Sequence, residues 1–145
     1  MNKIKILFLC TGNSCRSQMA EGWCHHLKND KIEAYSAGLK KHGLNPLALQ
    51  VMAESGVDIS QQQSKTIDEL TTQNFDLVIT LCKHAHETCP HFPGKIIHKG
   101  FDDPPKLSAN VSKDEDILEQ YRRVRDEIRD FIKTFNDKNI NFLIS

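Results

Sequence analysis

The chain alternates between short apolar runs and segments in which apolar residues recur every three or four positions. The short runs predict four strands. The first run is the most continuous, and we expect it to form a central strand that is buried on both faces. The predicted strands span residues 4–9, 33–37, 75–81 and 95–98.

Helices are predicted between these strands and after them. Apolar residues at helical spacing predict a first helix over residues 17–29. Asn45-Pro46 combines an N-cap residue with a proline at the first helical position, and Gly56 ends this second helix. Ser112 and Glu115 have the spacing of a capping box for the last helix, whose apolar stripe is expected to face the core. The stripe comprises Ile117, Tyr121, Val124, Ile128, Phe131 and Phe135.

Strands that alternate with helices predict an α/β fold, with a four-stranded parallel sheet flanked by helices on both faces. A chain of 145 residues is long enough for one domain, residues 1–145, with one core. Ligands of such sheets bind beyond the carboxyl ends of the strands. Cys10 and Cys82 each directly follow a predicted strand, so both are expected at that edge.

Composition narrows the classes of function. The 19 basic and 19 acidic residues give a formal charge of zero, which disfavours a nucleic-acid-binding surface. The first apolar run is too short for a signal peptide or a membrane span. Five cysteines without a secretory signal indicate a reducing cytoplasm and reactive thiols. We therefore expect a cytoplasmic monomer that binds neither nucleic acid nor membrane.

Residues 10–16, Cys-Thr-Gly-Asn-Ser-Cys-Arg, are typical of a loop that holds an oxyanion. Gly12 relieves a tight turn, Arg16 offers two parallel donors, and a helix that begins near Ser17 directs its positive end at the same place. An anion bound there would lie against the Cys10 sulfur, and the same donors favour the thiolate of Cys10 over the thiol. The alternative is an ordinary strand-to-helix turn with a buried cysteine.

Cys82 and Cys89 form a second group of thiols, seven positions apart. In a regular helix their α-carbons would be roughly 10 Å apart, whereas a disulfide needs about 4.4–6.8 Å. They can therefore pair only if the segment is unwound or unwinds on oxidation. Two alternatives stay open: two unrelated thiols, or a zinc cluster, although the spacing matches no usual zinc pattern. The cluster would comprise Cys82, His84, His86, Cys89 and His91.

Residues 100–105, Gly-Phe-Asp-Asp-Pro-Pro, predict a stiff loop just after the fourth strand. Attack of a thiolate on an oxyanion requires a proton for the departing oxygen, and a carboxyl group that faces a bound anion is suited to supply it. Asp103 is the better candidate because Pro104 restricts its backbone. The alternative is a simple surface turn.

The loop with Ser17, together with Asp103-Pro104, resembles the low-molecular-weight protein tyrosine phosphatase fold. The longer string from Cys10 to Trp23 and the triplet Cys10, Cys82 and Cys89 resemble the thioredoxin-coupled arsenate reductases of that fold, and the resemblance covers residues 3–135. It implies arsenate as substrate, phosphate and sulfate as competing oxyanions, thioredoxin as electron donor, and no tightly bound cofactor or metal. The residues it implies for substrate binding are Thr11, Gly12, Asn13, Ser14, Cys15, Arg16 and Ser17.

The resemblance also implies a mechanism. Arg16 holds arsenate, Cys10 attacks arsenic, and Asp103 protonates the leaving oxygen. Cys82 then attacks Cys10, and Cys89 attacks Cys82, so that disulfides Cys10–Cys82 and Cys82–Cys89 form in turn. The main alternative is a tyrosine phosphatase that hydrolyses phosphate monoesters through a phosphocysteine at Cys10.

One position departs from the phosphatases, and three features depart from the arsenate reductases. Gln18 stands where the phosphatases usually have proline. The arsenate reductases can hold potassium with groups that match Asn13, Glu21 and Ser36 and with an aspartate where this chain has Lys65, so we expect the Lys65 ammonium to replace the ion and pair with Glu21. Cys24 is expected to be a packing thiol. Residues 106–116 are expected to be a polar loop insertion.

Overall fold

Four strands and six α-helices lie along residues 3–89, 92 and 94–144, which are the residues that this computed structural model describes. The strands are β1 (Ile4–Cys10), β2 (Ile32–Gly38), β3 (Leu77–Thr80) and β4 (Lys95–His98). The helices are α1 (Arg16–Leu27), α2 (Pro46–Glu54), α3 (Lys83–Thr88), α4 (Pro104–Leu107), α5 (Asp114–Lys133) and α6 (Asp137–Ile144).

The strands form one parallel sheet in the order β2-β1-β3-β4. Strand β1 is central, and its residues Ile6 to Leu9 are fully buried, as a continuous apolar run predicts. All four predicted strands are present, although β3 is shorter than predicted at both ends. The predicted α/β class with a four-stranded parallel sheet is confirmed.

Helices α1, α2 and α5 pack together beside the sheet, whereas α3 contacts β1 and β3. Tyr121, Val124 and Ile128 of the predicted α5 stripe are buried, and the Trp23 indole donates to the Arg125 carbonyl at 3.2 Å. Asn45 caps α2 as predicted, because its Oδ1 accepts hydrogen bonds from the first two backbone N–H groups of the helix. Within the described residues, no helix is both long enough and apolar enough to cross a bilayer.

Two local predictions about helix ends are wrong. The N-cap of α5 is Lys113 rather than Ser112, and the Glu115 carboxylate pairs with Arg122 instead of returning to the Ser112 backbone. Part of the segment predicted as loop is helical, because Asp103 and the two prolines after it open α4. The chain after Phe135 had no predicted structure, and it forms α6, in which Ile140 is buried.

Candidate active site

A cavity of about 260 Å³ lies where β1 ends and α1 begins, at the carboxyl edge of the sheet. It brings together Cys10, Arg16 and Asp103, three of the residues that the sequence predicts for catalysis. The cavity is lined by Cys10, Thr11, Gly12, Ser14, Cys15, Arg16, His42, Asp103 and Pro105. His42 and Pro105 were not among the predicted site residues.

The loop between β1 and α1 is held from outside by residues 39–45. Four backbone amides of that segment donate to loop carbonyls, which leaves the amides of the loop available to face the cavity. The pairs are Leu39 to Cys10 at 3.3 Å, Lys40 to Thr11 at 2.9 Å, His42 to Gly12 at 2.9 Å, and Asn45 to Ser14 at 3.0 Å. Such an arrangement suits a tetrahedral oxyanion.

Two glycines allow this close packing. A Cβ on Gly12 would lie 2.4 Å from His42 Nδ1, and a Cβ on Gly38 would lie 2.4 Å from the Lys40 carbonyl oxygen. Asn13, in the same loop, has a φ of 47°, which only glycine and asparagine adopt readily. The loop therefore has little room to change shape.

The Cys10 sulfur has a buried hydrogen-bond partner. Its Sγ lies 2.9 Å from Ser17 Oγ, and Ser17 Oγ accepts from Asn13 Nδ2 at 2.8 Å. When Cys10 is a thiolate, it can only accept, so Ser17 must be the donor. Ser17 and Asn13 are fully buried, and their side chains lie behind the loop rather than in the cavity.

The Asn13 side chain is in turn fixed by two donors. Its Oδ1 accepts from Lys65 N at 2.8 Å and from Gln18 Nε2 at 3.0 Å, which sets the orientation of the amide. Gln62 Nε2 donates to Gln18 Oε1 at 2.9 Å and fixes that amide as well. A connected set of hydrogen bonds therefore runs from Gln62 to the Cys10 sulfur. Sequence reasoning missed Gln62 and the structural role of Gln18, because nothing local marks them.

Arg16 and the two aspartates of residues 100–105 have separate roles. Arg16 Nη1 donates to the Phe101 carbonyl at 3.0 Å, and its Nη2 lies 3.7 Å from Asp103 Oδ1 at the cavity. Asp102 instead pairs with Arg123 of α5 at 3.1 Å. Of the two adjacent carboxylates, Asp103 faces the cavity and Asp102 anchors the loop.

Cys82 lies beside residues 10–16, which we call the anion loop, because the β1–β3 pairing continues beyond the strands. Leu81 N donates to the Leu9 carbonyl at 2.9 Å, and Cys82 Sγ then lies 3.3 Å from Thr11 Oγ1. Cys82 is the N-cap of α3, where its sulfur accepts from Ala85 N at 3.4 Å. Cys89 follows the last residue of α3. The segment between the two thiols is therefore helical.

The profile of the low molecular weight phosphotyrosine protein phosphatase family matches residues 5–141, nearly the whole chain. The chain belongs to this family. One relative within it, named arsenate reductase, from Halalkalibacterium halodurans, is 53% identical over 137 residues, which are 93% of this chain and 96% of that protein.

Two solved structures of the family have a similar fold. An arsenate reductase in a phosphate binding state is 31% identical, with a TM-score of 0.72, and the match covers 97% of this chain and 98% of that one. The low molecular weight protein tyrosine phosphatase from T. tengcongensis is 28% identical, also with a TM-score of 0.72, and the match covers 97% and 100%. The fold alone therefore does not separate reductase from phosphatase.

The thiols of this family member differ in how accessible they are. Burial raises the pKa of Cys24 and of Cys15 strongly, and for Cys15 the charges of Asp103 and Cys10 add to the shift. Cys24 is fully buried, in agreement with a packing role. Burial also raises the pKa of Cys89, which is only half-buried. All five cysteines are thiols in this structure.

The possible metal sites can be tested against the side chains that the structure describes. Among these, no group of three or more histidine, cysteine or acidic residues is placed to hold a metal ion. His91, a member of the hypothetical zinc cluster, lies outside the described residues.

One of the potassium ligands implied by the resemblance, Glu21, lies beside a different cation. Glu21 accepts a 2.6 Å hydrogen bond from Ser36, and the Lys65 ammonium lies 4.0 Å from Glu21 and donates to the Gln63 carbonyl at 2.8 Å. The expected pairing of Lys65 with Glu21 is therefore present. These residues do not fit a potassium ion, because a fixed positive charge already lies beside the carboxylate.

Proposed function

We propose that this family member reduces arsenate to arsenite through a relay of three cysteines, with thioredoxin as the final reductant. The observation that carries the proposal is the position of Cys82, whose sulfur lies 3.3 Å from the hydroxyl of Thr11 in the anion loop, while Cys89 lies at the other end of α3. Hydrolysis of a phosphocysteine would need neither thiol. The printed name of the 53% identical relative, arsenate reductase, supports the same activity.

In the first step, arsenate binds to the loop amides and to Arg16. The Cys10 thiolate, stabilised by the Ser17 hydroxyl at 2.9 Å, attacks arsenic, and a sulfur–arsenic bond replaces an arsenic–oxygen bond. Asp103 protonates the departing oxygen, which leaves as water. Asp103 lies 3.7 Å from Arg16, and this proximity supports its proposed role as the proton donor.

In the second step, the Cys82 thiolate attacks the sulfur of Cys10. A Cys10–Cys82 disulfide forms, the sulfur–arsenic bond breaks, and its electron pair passes to arsenic, which leaves as arsenite. The contact of Cys82 with Thr11, the neighbour of Cys10 in the chain, supports this step. Two electrons have then moved from two thiolates to arsenic.

In the third step, the Cys89 thiolate attacks Cys82. The Cys82–Cys89 disulfide forms and Cys10 leaves as a thiolate, ready for another anion. Because α3 separates the two cysteines in the reduced protein, the helix must unwind for this bond to form. Reduced thioredoxin then returns two electrons to the disulfide.

The alternative function is hydrolysis of phosphate monoesters by the same Cys10, Arg16 and Asp103. The family and the similarly folded tyrosine phosphatase favour it. Arsenate and phosphate are similar tetrahedral anions, so the cavity does not separate the two functions, and only the pair Cys82 and Cys89 does.

The test measures both reactions on one preparation. NADPH oxidation is followed with arsenate, thioredoxin and thioredoxin reductase, and hydrolysis of para-nitrophenyl phosphate is followed beside it. We expect arsenate-dependent NADPH oxidation in the native protein and its loss in Cys82→Ser, with hydrolysis retained in that variant. If Cys82→Ser still reduced arsenate with thioredoxin, the relay would be wrong. If the native protein hydrolysed only the ester, its function would be that of a phosphatase and not that of a reductase.

A further inference from the structure

The hydroxyl of Thr80 lies at the junction of three elements. Thr80 is the last residue of β3 and is fully buried. Its Oγ1 is 3.0 Å from Nδ1 of His86 in α3 and 2.9 Å from Nδ1 of His98, the last residue of β4. It also lies 3.3 Å from the Ile97 carbonyl oxygen. We call Thr80, His86 and His98 the Thr80 clamp.

The hydrogen-bonding capacity of this hydroxyl is fully used. A threonine hydroxyl has one proton and two lone pairs. With its one proton donated to the Ile97 carbonyl, the hydroxyl can bond both imidazoles only by accepting an Nδ1–H from each, and this arrangement satisfies all three partner atoms. The rings of His86 and His98 also contact each other, with centroids 4.8 Å apart at 37°. The clamp therefore fastens α3 to the ends of two strands.

Little else in α3 resists unwinding. The helix has six residues, which is far too few for a helix to be stable without tertiary contacts. Ala85 is its one buried residue, and this small side chain contributes little apolar area. Among the residues that the structure describes, the other hydrogen bonds within the helix are local, such as Thr88 Oγ1 to the His84 carbonyl at 2.7 Å.

The position of His86 connects the clamp to the thiols. His86 lies between Cys82 and Cys89, in the helical turn that must open before the two sulfurs can approach to bonding distance. The backbone bond from His86 N to the Cys82 carbonyl, at 3.1 Å, belongs to the same turn. Opening this turn moves His86 away from Thr80.

We propose that the Thr80 clamp is a positioning device that keeps α3 wound and so sets the rate and the equilibrium of Cys82–Cys89 disulfide formation. The inference rests on the proposed function for its role in catalysis. The clamp itself transfers no electrons: Cys89 attacks Cys82, one disulfide replaces another, and Cys10 leaves as a thiolate. Contacts present only in the wound helix stabilise the dithiol and oppose the disulfide.

The test is a redox titration of the full chain in a Cys10→Ser background, so that Cys82 is left with Cys89 as its partner. The fraction of disulfide is measured by alkylation and mass analysis in buffers of reduced and oxidised glutathione. Of the three bonds of Thr80, only the bond to His86 depends on the wound helix. Loss of one hydrogen bond is worth about 1 kcal/mol, so we expect Thr80→Val to shift the equilibrium about 5-fold towards the disulfide. His86→Ala should shift it in the same direction.

The matched control is His84→Ala. His84 is exposed on the same helix, and its replacement changes helix propensity as His86→Ala does, but no contact with Thr80 is removed. A shift in His86→Ala that exceeds the shift in His84→Ala supports the clamp, even if Thr80→Val folds poorly. Equal shifts in the two histidine variants would overturn it.

A second measurement separates this inference from the proposed function. With Cys10 present, para-nitrophenyl phosphate hydrolysis should stay within about 2-fold of the native rate in Thr80→Val and His86→Ala, because neither residue lines the cavity. If arsenate never produced a Cys82–Cys89 disulfide, the relay would fail, while the glutathione titration would still decide whether the clamp opposes that bond.

Discussion

The anion loop and the α3 segment are neighbours at one edge of the sheet, but they are held very differently. The loop is fixed by four backbone bonds from residues 39–45, by two close-packed glycines and by the buried bonds of Ser17 and Asn13. Helix α3 has one buried residue and the Thr80 clamp. The first region is therefore held by many contacts and the second by few.

The difference follows the chemistry that each region is proposed to perform. Binding and attack on an oxyanion require donors that are already oriented, because any reorganisation would add to the barrier. Disulfide exchange requires three sulfurs to meet in succession, which no single rigid arrangement allows. Each prediction below perturbs one region and measures whether the other is affected.

The largest effect is expected from Cys10→Ser. Both arsenate reduction and para-nitrophenyl phosphate hydrolysis should fall to background, because both begin with the Cys10 sulfur and an alcohol in its place is a far poorer nucleophile. Cys24→Ala, which removes a buried thiol outside the cavity, is the control and should retain both activities. Measurable reduction of arsenate by Cys10→Ser would contradict the proposed role of the loop.

Cys89→Ser should separate the two regions. The first two steps do not use Cys89, so we expect about one arsenite per enzyme followed by arrest, with ester hydrolysis unchanged. Quenching with an alkylating agent and mass analysis should find the Cys10–Cys82 disulfide. Sustained thioredoxin-dependent turnover in this variant would show that thioredoxin does not receive the Cys82–Cys89 disulfide as its substrate.

Ser17→Ala tests the rigid region alone. A hydrogen bond to a charged group is worth about 1.5–3 kcal/mol, so both activities should fall about 10- to 100-fold, while the apparent affinity for arsenate changes little. The control is Ser108→Ala, since Ser108 is also buried and its hydroxyl has no hydrogen-bond partner among the described residues. Unequal losses of the two activities would mean that Ser17 does not act on the sulfur they share.

The anion loop was predictable because its chemistry is local. Cys10, Gly12 and Arg16 lie within one short segment directly after an apolar run. The turn from the strand into the helix brings them to the same cavity. Asp103 was distinguished from Asp102 by the proline after it. In contrast, the Gln62–Gln18–Asn13 bonds and the Thr80 clamp join residues far apart in sequence, and no pattern marks them.

Helix ends show why a correct local pattern can still fail. The capping-box spacing at Ser112 did not form a box, because Arg122 takes the Glu115 carboxylate. The same spacing at Thr66 and Glu69 does form one, with Thr66 N donating to Glu69 Oε1 at 3.1 Å. An ion pair with a residue seven positions along the same helix decides the outcome, and the four-residue capping pattern alone does not contain it.

A change of pH should affect the reaction of the α3 segment more than the reaction at the anion loop. Burial raises the pKa of Cys89, so its attacking thiolate is scarce at neutral pH and becomes more abundant as pH rises. The rate of Cys82–Cys89 formation after one arsenate turnover should therefore rise about 10-fold per unit over the alkaline side of neutrality. Ester hydrolysis, which does not use Cys89, is the reference. Parallel profiles for the two reactions would contradict the assignment.

The smallest expected effect concerns the cation beside the loop. Because the Lys65 ammonium lies 4.0 Å from Glu21, we expect activity in potassium chloride to stay within about 2-fold of that in sodium chloride at equal ionic strength. Lys65→Asp should create a preference for potassium, since a carboxylate there joins Glu21, Ser36 and Asn13 as oxygen donors. The substitution is connected to the anion loop through Asn13, whose Oδ1 accepts a hydrogen bond from Lys65 N. The effect should therefore appear in arsenate reduction and ester hydrolysis alike. A native enzyme strongly activated by potassium would mean that the lysine does not replace the ion.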